Sequence, residues 1–78
     1  MPTILIENPY RLFLVSLDFD ELPHIHIQRE EEVAKFWLDP VVLDKASGFR
    51  PQELSRIGKM VEGNHDFLVE RWHEFFGT

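Results

Sequence analysis

Cysteine is absent from the 78-residue sequence. Its absence removes any disulfide framework, any cysteine nucleophile and every thiolate zinc or iron–sulfur site, while mildly favouring the cytosol. Positive charge is scarce too. Eight Lys and Arg stand against fourteen Asp and Glu, a formal net charge of -6, so the basic footprint of a general nucleic-acid binder is missing and DNA or RNA is repelled overall. No apolar run approaches the roughly 18 residues a membrane span requires. The start MPTILIENPYR also lacks the basic and apolar regions of a secretory leader. The expectation is a soluble, unprocessed, cytoplasmic chain with no membrane partner. Four glycines and five prolines are too few for a collagenous or low-complexity chain. What remains, 44% apolar and 28% charged residues, is a globular complement. A chain this short has room for one domain, residues 1–78.

The first half reads as successive strands, because short runs rich in Ile, Leu, Val, Phe and Trp alternate with turn residues. Thr3 to Glu7 is the first run, with Asn8-Pro9 as its turn. Tyr10 to Asp18 is the second, with Leu12 and Leu14 on one face and Phe13, Val15 and Leu17 on the other. His24 to Arg29 forms a third and Val33 to Leu38 a fourth, in which Ala34, Phe36 and Leu38 share a face opposite Val33, Lys35 and Trp37. Val41 to Asp44 reads as a short fifth strand or an extended segment, and Lys45-Ala46-Ser47-Gly48 as a turn. From Pro51 the period changes: Ile57, Val61, Leu68, Trp72 and Phe75 lie along one helical stripe. Gly63-Asn64 is its weak point, since a helical glycine costs about 1 kcal/mol relative to alanine. The stripe keeps phase across it, which favours one helix with a kink near Gly63 over two. The predicted fold is therefore α+β: an antiparallel sheet of about four strands (residues 3–44), packed by a long C-terminal helix (51–76).

The candidate chemistry lies in Pro23-His24-Ile25-His26-Ile27-Gln28. On a strand, His24 and His26 point to one face and the isoleucines to the other. Two adjacent imidazoles can hold a divalent metal if a third ligand approaches, and Glu30, Glu31, Asp39 and Asp20 are nearby carboxylates. They can recognise a partner in a pH-dependent way. One can also attack phosphorus while the other steadies the transition state. The segment resembles the His-x-His-x-Gln strand of the nucleotidyl-transferring histidine-triad proteins, and that resemblance implies His26 as nucleophile and His24 as its neighbour. Arg11, Arg29 and Lys35 are then the cations nearest a phosphate. Against these stands the plain reading, that a His-x-His on a strand is polar surface. The carboxylates Asp18, Asp20, Glu21 and Glu30 to Glu32 read as a solvated acidic rim, and His65 and His73 as surface residues.

The aromatic residues suggest contact with another chain. Trp72, His73, Phe75 and Phe76 crowd the helix end beyond what one buried stripe holds. Phe13, Val15, Leu17 and Trp37 share no cover with the helix-facing set.

Four signatures occur in order: Met-Pro-Thr-Ile at the start, Pro23-His24-Ile25-His26-Ile27, Ala34-Lys35-Phe36-Trp37-Leu38-Asp39-Pro40, and Trp72-His73-Glu74-Phe75-Phe76-Gly77. Together they resemble the bacterial family catalogued as domain of unknown function 4160. Here Leu22 stands where the family has a first Pro, and isoleucines stand where it has valines. The resemblance implies a gene neighbourhood shared with another small family, domain of unknown function 2442, in arrangements like toxin–antitoxin pairs. It brings no established reaction and no cofactor. The leading expectation is a non-enzymatic, cytosolic interaction protein that binds another small protein, or itself as a homo-oligomer, through Trp37, Phe13, Val15, Phe76, His24 and His26. The alternative is a small metal- or histidine-dependent enzyme acting on phosphoesters or nucleotides through His24 and His26.

Overall fold

The structure is a computed structural model that describes residues 2–78. Five strands form one antiparallel meander in the order β1 (Thr3–Glu7), β2 (Tyr10–Phe13), β3 (His24–Arg29), β4 (Glu32–Leu38) and β5 (Val41–Ser47). Two helices follow, α1 (Pro51–Gly63) and α2 (His65–Phe76). The α+β reading holds, with five strands in place of about four and two helices in place of one.

Alternation decides the layers. Leu12, Ile25, Ile27, Ala34, Phe36 and Leu38 point inward and bury against Ile57 and Val61 of α1 and Leu68 and Trp72 of α2. Register fixes the opposite face, where Phe13 stands beside His26, His26 beside Lys35, and His24 beside Trp37. Phe75, expected on the buried stripe, is exposed instead.

Three elements differ from the expectation. The run from Tyr10 stops at Phe13, and Ser16–Asp18 winds into a short 3-10 helix, closed by Asp18 N–H donating to the Val15 carbonyl (3.0 Å). Leu17 therefore leaves the sheet and stands in solvent. The fifth strand runs on through Lys45, Ala46 and Ser47, which composition marked as a turn. Its register skips Asp44, because Lys35 faces Lys45 while Phe36 faces Leu43. The extra residue is a β-bulge, which kinks the edge strand.

The helical segment divides at Asn64, which departs from helical geometry (φ -112°, ψ 14°) and whose side chain donates to the Met60 carbonyl (2.9 Å). Gly63 has open space around it, so the glycine is not what the break requires. Length is the better reason. An unbroken helix over this span would run ~38 Å, more than the 34 Å longest dimension of the molecule. Breaking after one residue lets Leu68 and Trp72 stay in phase with Val61 while both helices remain over the sheet.

Gly48 links β5 to α1 at φ +93°, and a Cβ there would lie 2.5 Å from Glu32 Cγ. Gly48→Ala is expected to cost about 1–2 kcal/mol, from left-handed backbone strain together with the clash. The urea midpoint measures it, with Gly77→Ala, at a left-handed cap open to solvent, as the milder control.

Candidate functional site

The cluster is assembled from the start of β3 and the loop before it. His24 and His26 project from the face of β3 opposite the buried Ile25 and Ile27, and His24, at the start of the strand, is also reached by Trp72 of α2. The 3-10 turn brings Asp18 over the pair. One carboxylate oxygen, Asp18 Oδ2, lies 2.8 Å from His24 Nε2 and 2.9 Å from His26 Nε2. His24 Nδ1 lies 2.9 Å from the Leu22 carbonyl, to which it donates. All three side chains offer a ligand atom within 4.8 Å of one another.

The two histidines have different surroundings. The His24 side chain is 0% exposed, while His26 is 21% and Asp18 17% exposed. Aromatic rings enclose His24: Trp37 with its centroid at 5.5 Å, Trp72 from α2 at 4.8 Å and His26 at 5.0 Å. Phe13 stacks on His26 at 5.3 Å, and Arg11 lies 4.4 Å over the Phe13 ring. The polar-surface reading therefore fails for His24, which is sealed inside a small polar core.

Charge follows the same arrangement. Burial pushes the Asp18 carboxyl up, yet the His26 and His24 nitrogens set against its oxygen outweigh that and hold the group below its ordinary value. Burial lowers His26, and its bond to Asp18 recovers only part of that loss, so at neutral pH the ring is uncharged and Asp18 is ionised. Lys35, on the neighbouring strand, is buried. Burial alone would lower it, but Glu21 at 2.6 Å and Asp44 at 3.5 Å raise it above its ordinary value. Its ammonium also sits 4.4 Å over the Trp37 ring.

The family described as Domain of unknown function (DUF4160) matches residues 10–73. The chain belongs to that family. No curated protein and no solved structure matches it. The part shared with DUF4160 takes in Asp18, His24, His26 and Lys35, together with both helices up to His73, and leaves out β1. No helix among the described residues is long and apolar enough to cross a membrane.

Of the residues singled out from sequence, His24, His26, Phe13 and Trp37 come together around the cluster, and Phe76 joins through Trp72 at 4.2 Å. Val15 is half-buried at the exit of β2. Phe13 is 7% exposed and Trp37 is half-buried between His24 and Lys35, so both spend most of their surface inside the chain. Asp18 is the residue that sequence reasoning missed. It read as acidic rim, and Asp20, Glu30, Glu31 and Asp39, proposed as third ligands, lie outside the cluster. The available signal was Ser16 and the acidic run after it, which favour a turn over a ninth strand residue. Glu21 and Glu32 also leave the rim, since they pair with Lys35 and Arg29.

Proposed function

We propose that this protein works by binding another protein chain, as one member of a two-protein regulatory or toxin–antitoxin-like module in the cytosol, through the loop between β2 and β3. One observation carries the reading. Leu17, Phe19 and Leu22 are 81%, 70% and 73% exposed, three large apolar side chains carried by one loop whose middle is held at the sheet by Asp18. Scattered exposed apolar residues need no explanation, but three within six residues of one anchored loop suit an interaction surface. Anchoring also lowers the ordering entropy that binding would cost. The gene neighbourhood implied by the family resemblance supports a small protein as the partner. The open edge strand β5, exposed along nearly its whole length, supports self-association as the other form the interface takes.

The alternative, phosphoester chemistry at His26, has a shallow cavity of about 160 Å³ in its favour, with His26 and Lys35 facing Lys45 and Ser47. Against it, the cations nearest the pair are engaged within the chain. Arg11 bonds to Thr3 and Gln28, Arg29 pairs with Glu32 and Glu53, and Lys35 pairs with Glu21 and Asp44.

Native mass spectrometry of untagged protein from its own host is expected to give a heteromer with a second small chain, or a homodimer. The Leu17→Asp/Phe19→Asp double variant should weaken that association at least about 100-fold, the scale of an interface hot spot, at an unchanged melting temperature. A monomer without a co-purifying chain, or association indifferent to the substitutions, would sink the reading.

A further inference from the structure

We propose that Asp18, His24 and His26 bind one divalent transition-metal ion of the zinc type, with Asp18 Oδ2 and the two Nε2 atoms as ligands. The inference is independent of the partner reading, since a metal-bound monomer would support it while sinking that one.

Hydrogen-bond accounting makes the argument. The Leu22 carbonyl can only accept, so His24 Nδ1, 2.9 Å away, carries a hydrogen. In a neutral ring Nε2 then holds a lone pair, and that lone pair points at Asp18 Oδ2 from 2.8 Å. A carboxylate oxygen has only lone pairs to offer in return. Two acceptors at this distance need a positive centre between them, either an added proton or a metal ion. His26 Nε2 converges on the same oxygen from 2.9 Å, so a single ion among the three atoms would satisfy all of them at once.

The surroundings are those of a metal site. Two imidazoles and one carboxylate suit zinc and its first-row neighbours, at bond lengths of about 2.0–2.2 Å, and movements of roughly 1 Å or less would bring all three atoms to that range around a common point. The Leu22 carbonyl acts as the outer partner that fixes the tautomer and ring orientation of a ligating histidine. Trp37 and Trp72 hold the His24 ring. Asp18 and His26 are partly exposed, which gives an ion a route in. Lys35 is the nearest buried cation, and Glu21 and Asp44 neutralise it. Three protein ligands leave a coordination position for water or a fourth donor.

The test uses the full chain stripped with a chelator, then titrated with Zn²⁺ against a chromophoric chelator and, separately, with Co²⁺ followed by visible absorption. One ion per chain is expected, with the intense d–d bands of four- or five-coordinate cobalt. Asp18→Asn and His26→Gln should each weaken Zn²⁺ at least about 100-fold while the far-UV circular dichroism stays native. These two are the deciding variants because both side chains are partly exposed and their loss leaves the fold standing. A wild-type chain that takes up no stoichiometric Zn²⁺ overturns the proposal. So does binding that survives both substitutions and disappears in His65→Ala/His73→Ala. So does a nitrogen-15 spectrum in which His24 Nε2 carries a hydrogen with Zn²⁺ in excess.

Discussion

A His24→Ala variant, stripped of metal with a chelator, is expected to lose about 3–5 kcal/mol in a urea titration. Two effects combine. Removing a fully enclosed ring leaves a hole between Trp37 and Trp72 that neighbouring side chains fill only in part. Asp18 also loses one of the two nitrogens that compensate its burial, and breaking a buried polar pair from one side exposes the partner's desolvation cost. A domain of this length has in all about 4–12 kcal/mol, so the variant stands close to the edge of folding. His26→Ala is the comparison, since this ring is partly in solvent and its loss removes one hydrogen bond and the stack on Phe13. It should cost about 1–2 kcal/mol. The unequal response of two histidines that alternate on one strand face is the point of the experiment. Equal losses would mean that His24 is not enclosed, and the account of the cluster as a sealed polar core would fail.

Why the strand face could be read from sequence and the cluster could not follows from the range of the interactions. Ile25 and Ile27 against His24 and His26 is a period of two that only one register satisfies, so both the face and its core partners were legible. Ile57, Val61, Leu68 and Trp72 were legible in the same way, through a period of 3.6. Phe13, Val15 and Leu17 also alternate, yet the strand ends at Phe13. What turns the chain there is Asp18 meeting two imidazoles from a later strand, a tertiary contact of which Ser16 and the acidic run after it signal only the turn. His24 looked like surface because its cover, Trp72, arrives from the last helix. The division at Asn64 is likewise a matter of global dimensions, since the stripe is continuous across it. The edge strand β5 has polar residues on both faces, so it offers no periodicity to extend past Asp44.

Glu53 carries the other large expected effect. It stands in the first turn of α1 and is buried. Its Oε2 accepts from the Tyr10 hydroxyl at 2.6 Å and lies 2.7 Å from Arg29 Nη1, so one carboxylate ties the helix to both β2 and β3. Glu53→Ala is expected to cost about 2–3 kcal/mol in chemical denaturation, the scale of losing hydrogen bonds to a charged group. Tyr10 supplies a readout that general destabilisation would not produce. The hydrogen bond to Glu53, then burial, then the charge of Glu53 raise the phenol above its ordinary 10.0, with Arg29 and Arg56 pulling the other way. A folded value above the unfolded one means that the fold favours the neutral phenol. That contribution is complete below pH 10 and disappears as pH rises through the raised value. Tyr10 is the only tyrosine, so phenolate absorbance in an alkaline titration reports this one group. In Glu53→Gln, which keeps the shape and removes the charge, Tyr10 should ionise at lower pH than in the wild type, and the alkaline loss of stability should shrink. A Tyr10 that ionises at the same pH in both proteins would show that this carboxylate does not dock α1 on the sheet.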